Sequence, residues 1–325
     1  MRALTVTDTP TTEGTVRGLA LTERPTPRPA AGEVTIDVEA AGIGLIDALW
    51  ASGAMPQHEG FVPGLEVAGT VREVGAGVVD LHVGQPVAAL LPGAGGFAEV
   101  ATAVAALVTP VPDGMATAQA AVVPINTVTA HLALTTVARL AAGESVLVHA
   151  GVGGLGSQFG QVARALGAAR VDAVVGTPEK LLVARDLGYD HAHLRAEPAT
   201  VPDGAYDVVV DPVGGDATAR AFQALRGGGR LVRVGNASRA GDVGLSSLAH
   251  WLENKTTAGF NVGAWLGDHP EQGAESLRWS LGAVAGGTVR VDLTGTGELA
   301  DHAAMLADLL SGATTGKLAF LVGRE

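Results

Sequence analysis

The sequence contains no cysteine among its 325 residues. This absence excludes disulfide bonds, and with them a small secreted fold that depends on disulfides. It also excludes zinc or iron–sulfur centres held by cysteine, and a thiol nucleophile. Aromatic residues make up only 4% of the chain. The core must therefore consist mainly of valine, leucine, isoleucine and alanine.

Positive charge is also scarce. The chain has 21 Lys+Arg against 33 Asp+Glu, a formal net charge of −12, and so lacks the basic footprint of a nucleic-acid-binding protein. No apolar run reaches the ~20 residues of a membrane-spanning helix, because residues 86–111 are interrupted by Pro92, Glu99 and several glycines. The first eight residues lack the charged start and apolar stretch of a secretory signal. With 47% hydrophobic residues, we expect a folded cytoplasmic protein that binds neither membranes nor nucleic acids.

The rhythm of apolar residues changes twice along the chain. Residues 1–121 show short apolar runs broken by turn residues, which is typical of a mostly β domain. Residues 122–262 alternate strand and helix patterns, which indicates a parallel sheet with helices on both faces. The last segment, residues 263–325, shows one helix near residues 301–310 and a terminal strand over residues 318–322. We predict an α/β protein in which this last segment packs on the first to form one domain, and the middle segment forms the other.

A glycine-rich loop is the strongest local signal. Gly151, Gly153 and Gly156 fit the pattern G-x-G-x-x-G, between an apolar run that ends at Ala150 and an amphipathic helix that begins near Gly154. In such a loop the first glycine allows a tight turn, the second lets backbone N–H groups approach a pyrophosphate, and the third lets helix and strand pack closely. The helix N-terminus then faces the negative charge. The pattern predicts a dinucleotide site, and the alternative is a purely structural turn.

The residues about 20 positions after this loop distinguish the two nicotinamide cofactors. An NAD site carries a carboxylate there for the ribose 2′-hydroxyl, whereas this chain has Gly176 and Thr177, followed by Lys180. A small residue, a hydroxyl and an ammonium suit a 2′-phosphate, so the sequence favours NADPH. Alternatively, Lys180 is a solvated surface lysine and the neighbouring Glu179 opposes a phosphate.

Several short motifs, in order along the whole chain, resemble those of one family. They lie at residues 41–47 (AGIGLID), 63–71 (PGLEVAGTV), 74–78 (VGAGV), 83–87 (VGQPV), 96–100 (GFAEV), 129–130 (TA), 151–156 (GVGGLG), 176–180 (GTPEK) and 234–236 (VGN). Together they resemble the zinc-independent quinone oxidoreductase (ζ-crystallin-like) branch of the medium-chain dehydrogenase/reductase superfamily.

This resemblance implies a GroES-like, mostly β catalytic domain and a Rossmann domain with a doubly wound parallel sheet. It also implies hydride transfer from NADPH to a small-molecule quinone or α,β-unsaturated carbonyl compound, without a metal, in a homodimer joined at the edge strand near residues 256–262. The catalytic cysteine and histidine of zinc-dependent relatives would fall near Ile43 and Leu65, which cannot bind zinc. The implied cofactor-binding residues are Thr129, Val152, Gly153, Gly154, Leu155, Gly176, Thr177, Lys180, Gly235, Asn236, Phe260, Val262 and Lys317.

Four of these residues also have simpler interpretations. The Thr129 hydroxyl would bond to the backbone of its own helix. Phe260 and Val262 would pack in the core as part of a strand predicted over residues 257–262. Lys317 would either reach a phosphate or lie on the surface.

Catalytic candidates are few. Asp47 would order the loop beneath the nicotinamide, or else serve as a helix N-cap or first-turn carboxylate. His131 is the best-placed imidazole for a proton relay, or else a packed or exposed histidine. The family's asparagine falls on Gly44, and tyrosines of some relatives fall on Leu49 and near Met55, so we expect an apolar and open entrance. The substrate-pocket candidates are Gly44, Leu49, Trp50, Met55 and Asn126.

The expected mechanism follows from these weak candidates. Without zinc or a strong acid, the enzyme would act mainly by holding the nicotinamide within ~3–3.5 Å of the acceptor. Backbone N–H groups and a solvent proton would then stabilise the developing anion. Two alternatives remain open: an enoyl or tailoring reductase acting on a larger biosynthetic intermediate, and a non-catalytic NADPH-binding sensor on the same fold.

Overall fold

The computed structural model describes residues 1–11 and 14–323. Its contacts divide the chain into two units. The first unit comprises Met1–Ile125, Leu266–Gly286 and Val291–Glu325, and the second comprises Asn126–Trp265 and Gly287–Arg290. The domain limits expected from the sequence, after residues 121 and 262, lie four and three residues before the breaks at 125 and 265.

The described residues form fifteen strands and ten α-helices. The strands are β1 (Arg2–Thr11), β2 (Gly14–Glu23), β3 (Glu33–Ile43), β4 (Glu66–Val74), β5 (Pro86–Leu90), β6 (Val100–Val104), β7 (Val108–Pro110), β8 (Ser145–His149), β9 (Arg170–Val175), β10 (Ala192–Leu194), β11 (Tyr206–Asp211), β12 (Leu225–Arg233), β13 (Thr256–Gly259), β14 (Leu293–Glu298) and β15 (Lys317–Leu321). The helices are α1 (Leu45–Ala51), α2 (Thr117–Ala120), α3 (Pro124–Leu132), α4 (Gly154–Ala165), α5 (Glu179–Asp186), α6 (Asp216–Ala224), α7 (Ser247–Glu253), α8 (Val262–Asp268), α9 (Pro270–Ala285) and α10 (His302–Ser311). Within the described ranges, none of these helices has the length and apolar character needed to cross a bilayer.

The first unit is built on a mostly antiparallel seven-stranded sheet. Its strand order is β14-β15-β3-β4-β5-β7, and β6 pairs with β3. The terminal strand β15 pairs antiparallel with β3, so the end of the chain returns to the first segment as expected. The rings of Phe97 and Phe320 meet edge to face in its core, with centroids 4.9 Å apart.

The second unit contains a six-stranded, all-parallel sheet. Its order is β10-β9-β8-β11-β12-β13, and the direction of winding reverses between β8 and β11, where doubly wound sheets bind ligands. Val208, Val209 and Val210 in the central strand β11 are fully buried, as expected for a strand covered on both faces. The predicted Rossmann architecture is confirmed.

The last third of the chain contains more helix than predicted. Helix α9 was not expected from the sequence, because glycine, serine and charged residues interrupt its apolar pattern. It nevertheless buries Leu277, Leu281 and Val284 on one face, and Pro270 suits its first turn. The prediction of a single helix over residues 263–325 is therefore wrong.

The strand predicted over residues 257–262 is also too long. Strand β13 ends at Gly259, and helix α8 begins at Val262. The side chain of Asn261 accepts a hydrogen bond from the N–H of Ala264, 3.2 Å away. This side chain caps the start of α8 and provides the physical reason that the strand stops.

Candidate cofactor-binding and active site

The glycine-rich loop connects β8 to α4 in the second unit. Gly153 is the N-cap of α4 and has extended backbone angles. A Cβ atom at Gly156 would overlap the carbonyl oxygen of Ala150, whereas one at Gly153 would meet only that oxygen, at 3.4 Å. Gly156 is thus required by close helix–strand packing, and Gly153 leaves space beside the helix N-terminus. Val152 is buried, while Gly154 and Leu155 are half-buried at the start of α4.

A buried tyrosine, which the sequence did not point to, supports this loop. The hydroxyl of Tyr189 donates toward the carbonyl oxygens of Gly151 and Gly156, at 2.8 and 2.9 Å. Its ring fills the space that a side chain at Gly160 would occupy. Burial raises the pKa of Tyr189 well above its usual range, so the hydroxyl remains a donor. The neutral side chain of Tyr189 thus stabilises the conformation of the glycine-rich loop.

The carboxyl ends of β9 and β10 place two cations close together. Gly176 and Thr177 follow β9 and are exposed, and Lys180 lies in the first turn of α5. Arg195 follows β10, and its Nη2 would lie 3.2 Å from a Cβ at Gly176. Burial, and then the positive charge of Arg195, lower the pKa of Lys180. Sequence reasoning missed Arg195, although its place after the strand adjacent to β9 was an available signal.

Two charged side chains near Lys180 are exposed, those of Arg195 and Glu179. In the described ranges, no side-chain hydrogen bond or ion pair forms at Arg195. Glu179 is fully exposed, and its own backbone N–H and the Thr177 hydroxyl lower the pKa of its carboxyl. Lys180 and Arg195 therefore place two positive charges at the strand ends where an anionic group of a ligand would bind.

Two buried polar groups lie at the point where the sheet reverses. His149 ends β8 and is 3% exposed, and Asp211 ends β11 and is fully buried. The Asp211 carboxylate accepts hydrogen bonds from the N–H groups of Val213 and Gly214 and from the Thr218 hydroxyl. Burial lowers the pKa of His149 to about 4, so this imidazole is neutral at pH 7. Through these contacts Asp211 holds the turn that follows β11 and the start of α6.

The other predicted residues of the second unit lie on three elements. Gly235 and Asn236 are exposed just beyond β12, and the Asn236 amide donates to the Ala240 carbonyl at 2.9 Å. Phe260 is buried, with its ring 5.7 Å from that of Trp265. Val262 is half-buried at the start of α8.

Helix α3 carries three further candidates. Asn126 and Thr129 are 9% and 5% exposed. His131 is half-buried, and burial lowers the pKa of its imidazole. A neutral imidazole is a poor acid at pH 7, which weakens the interpretation of His131 as a proton donor.

In the first unit, Asp47 holds the start of helix α1. It is 1% exposed, and its two oxygens accept the backbone N–H groups of Gly44 at 2.8 Å and of Gly64 at 2.9 Å. Burial raises its pKa to about 6, against the opposing effect of these two hydrogen bonds. The carboxylate acts as a first-turn cap that also ties a second loop to α1.

Lys317 requires a correction. Its ammonium is 3% exposed and pairs with Glu66 at 2.5 Å, and it also donates to the Ile43 carbonyl at 3.2 Å. It therefore neither lies on the surface nor presents its charge to a phosphate, as the sequence suggested. The reason is that strand β15 begins at Lys317 and faces the buried Glu66. We exclude Lys317 from the cofactor-binding residues.

The predicted pocket residues of the first unit differ in exposure. Trp50 is 8% exposed and packs edge to face against Phe61, with centroids 5.2 Å apart, so it belongs to the core. Gly44 and Leu49 are half-buried, and Met55 is 42% exposed. Only the last three remain available to line a pocket.

Two family models match the chain. The alcohol dehydrogenase GroES-like domain matches residues 30–113, and the zinc-binding dehydrogenase model matches residues 154–280. The chain belongs to the medium-chain dehydrogenase/reductase superfamily. The description of the second model names zinc, but among the described residues no group of three or more His, Asp or Glu could hold a metal ion.

The curated relatives of this chain include much larger synthases. The chain is 33% identical over 280 residues to phthioceranic/hydroxyphthioceranic acid synthase of Mycobacterium tuberculosis. The matched region covers 83% of this chain and 13% of the synthase. The chain is 41% identical over 211 residues to polyketide synthase GfsB of Streptomyces halstedii, which covers 64% of this chain and 4% of that protein. The chain thus spans a small part of the length of the curated relatives it matches.

Solved structures match the chain from end to end. A mycobacterial protein complexed with NADPH has a TM-score of 0.86 and 29% identity, with 99% of both chains covered. A mycobacterial quinone oxidoreductase has a TM-score of 0.81 and 29% identity, with 98% of this chain and 100% of that chain covered. The oxidoreductase class predicted from the sequence is confirmed.

Proposed function

We propose that this oxidoreductase uses NADPH to reduce the activated double bond of an α,β-unsaturated carbonyl compound or the ring of a quinone. The observation that carries the proposal is the combination of the open glycine loop at the start of α4 with the cations of Lys180 and Arg195 at the neighbouring strand ends. A helix N-terminus and two cations provide separate sites for a pyrophosphate and for a 2′-phosphate.

The residues present fit NADPH better than NADH. The strand end at Gly176 carries no carboxylate of the kind that accepts hydrogen bonds from the ribose 2′-hydroxyl of NADH. Lys180 and Arg195 would bind the 2′-phosphate, and backbone N–H groups beginning at Gly153 would bind the pyrophosphate. NADPH, when bound, supplies the hydride. A structural neighbour at 29% identity is complexed with the same cofactor.

The chain's own contribution to the reaction is mainly positioning. Thr129 and Asn126 on α3 offer a buried hydroxyl and a buried amide for orienting groups near the reacting atoms. Asp47 is occupied by two backbone N–H groups, and so it shapes its loop rather than transferring a proton. The proton that completes the reduction comes from solvent, because an enolate or hydroquinone anion needs only a weak acid.

An enoyl thioester carried on a larger biosynthetic intermediate is the second candidate substrate. Two observations favour it: the relatives are acid and polyketide synthases, and Gly44 and Leu49 stand where the resemblance places an asparagine and a tyrosine. Smaller side chains at those positions leave room for a branched or long acyl chain. This candidate uses the same cofactor and the same hydride transfer.

We also propose that the chain forms a homodimer through strand β13. This strand is the last in its sheet and pairs only with β12 among the described strands. The preceding helix α7 exposes Leu248, Trp251 and Leu252 by 56%, 73% and 64%. A strand edge without a neighbouring strand, beside an apolar helix face, suits a two-fold interface with a second copy. Sedimentation of the protein in solution tests this proposal, since a homodimer has twice the mass of the single chain.

The activity is tested by following NADPH oxidation at 340 nm with a panel of acceptors. The panel contains 1,4-benzoquinone, 9,10-phenanthrenequinone, a simple enone and crotonyl thioesters of increasing size. Turnover of the quinones or the enone supports the first substrate class, and turnover restricted to thioesters supports the second. Tight NADPH binding without turnover of any acceptor would contradict the proposal and favour a sensor.

A further inference from the structure

A buried ion pair in the first unit contacts the start of helix α3. Glu66, at the start of β4, is 1% exposed, and Lys317, at the start of β15, is 3% exposed. One carboxylate oxygen, Oε1, pairs with Lys317 Nζ at 2.5 Å. The other, Oε2, accepts the backbone N–H of Ile125 at 2.8 Å. The two oxygens of one side chain thus connect a strand to a helix.

The surrounding backbone is shaped to admit this carboxylate. A Cβ atom at Gly42 would overlap Glu66 Oε1 and would lie 2.7 Å from the carbonyl oxygen of Ala121. Gly42 lies within β3, where neither a turn nor an unusual backbone angle requires glycine. The glycine is therefore explained by the space that the Glu66 side chain occupies.

The contact with Ile125 has the geometry of a helix cap supplied from a distance. Pro124 and Ile125 begin α3, and N–H groups in the first turn of a helix have no acceptor within the helix. A carboxylate at this end also interacts favourably with the helix dipole. A buried ion pair seldom adds stability compared with apolar residues of the same size. The ion pair is thus better explained by its effect on the orientation of helix α3 than by a gain in the free energy of unfolding.

We propose that Glu66 is a positioning residue for the reductase reaction. Its carboxylate, neutralised by Lys317, fixes the first turn of α3 through the N–H of Ile125. The same helix carries Asn126 and Thr129, which the proposed function uses to orient the reacting groups. This inference rests on the proposed function for its effect on turnover, but its structural part does not.

Two double variants that differ in a single acceptor test the proposal. Glu66→Gln with Lys317→Met removes both charges but keeps an amide oxygen for the Ile125 N–H. Glu66→Leu with Lys317→Met removes the charges and the acceptor together. Both replace the ion pair without leaving a lone buried charge, so both are expected to fold.

The expected result is a difference between these two variants. The leucine variant should lose about tenfold or more in kcat, with KM for NADPH unchanged, because a small displacement of orienting groups is costly in the chemical step. The glutamine variant should recover most of that loss. Hydrogen exchange in a peptide spanning residues 122–132 should be faster in the leucine variant than in the glutamine variant.

The proposal would be overturned by equal kcat and equal exchange in the two folded variants. If the unmodified protein reduces no acceptor in the panel, the proposed function fails, and the exchange comparison alone decides whether Glu66 fixes the first turn of α3. Faster exchange in the leucine variant would then support the positioning role, and equal exchange would reject it.

Discussion

The two units use their cations in opposite ways. In the first unit, the ammonium of Lys317 is buried against Glu66 and the Ile43 carbonyl. In the second, Lys180 and Arg195 lie at neighbouring strand ends, and burial, followed by the positive charge of Arg195, lowers the pKa of Lys180. A buried cation that is paired with a carboxylate contributes to the structure of its unit. A cation that lies beside another cation favours the binding of an anionic ligand.

This contrast predicts different consequences for mutation. Changes at the buried pair should affect the free energy of unfolding, because an unpaired buried charge is costly. Changes at the strand-end cations should affect cofactor affinity and leave stability nearly unchanged, since exposed charges contribute little to folding.

The largest effect is expected for Glu66→Ala in the first unit. The change leaves the Lys317 ammonium buried without its partner, which should lower the free energy of unfolding by about 3–5 kcal/mol. Urea denaturation followed by circular dichroism measures it. Arg195→Ala, at an exposed residue, is the matched control and should change stability by less than about 0.5 kcal/mol. Equal effects of the two substitutions would remove the contrast.

His149 should make the second unit less stable in acid. Burial lowers its pKa to about 4 from 6.5, so between these values the unfolded chain binds a proton that the folded chain does not. The free energy of unfolding should therefore fall by about 3 kcal/mol as pH decreases from 6.5 to 4. Urea unfolding at several pH values should show a smaller acid-induced loss in His149→Leu. An unchanged profile in this variant would contradict the assignment.

Asp47 should give the first unit the opposite response. Burial raises its pKa from 3.8 to about 6, so the folded chain keeps a proton that the unfolded chain has lost. The contribution is full below pH 3.8 and is lost as pH rises to about 6, by about 3 kcal/mol. Asp47→Asn removes this term, and its stability should decrease more steeply on acidification than that of the unmodified protein. Parallel pH profiles for the two proteins would rule the prediction out.

A smaller effect on stability is expected at the glycine loop. Gly156→Ala places a methyl group against the Ala150 carbonyl, which should destabilise the protein by about 1–3 kcal/mol and weaken NADPH binding. Gly153→Ala, where the structure leaves space, is the matched control and should unfold at nearly the same temperature as the unmodified protein. Differential scanning calorimetry and NADPH titration compare them. If both variants unfold at the same temperature, the packing argument for Gly156 fails.

The sequence predicted most of the second unit but less of the first. A glycine loop between a buried strand and an amphipathic helix depends on local sequence, so β8, α4 and the parallel sheet could be placed. The partners of Lys317 could not, because Glu66 and Ile43 are distant in sequence and meet it only when β15 pairs with β3. Local patterns carry no information about such pairings.

Residues missed in the second unit have the same explanation. Arg195 approaches Gly176 because β10 pairs with β9. Tyr189, in the turn after α5, approaches the glycine loop through its hydroxyl. The order of strands implied that the ends of β9 and β10 are neighbours, so Arg195 was within reach of sequence reasoning. Tyr189 was not, because its contact with Gly151 and Gly156 depends on side-chain packing.

The central claim is that Lys180 and Arg195 of the second unit select NADPH. The most direct test is a calorimetric titration of the unmodified protein and of Arg195→Ala with NADPH and with NADH. We predict tighter binding of NADPH by the unmodified protein, and a loss of about tenfold or more in NADPH affinity in the variant, because a charged hydrogen-bonding partner is removed. The affinity for NADH should stay the same. Equal binding of both cofactors by the unmodified protein, or equal losses for both in the variant, would contradict this account.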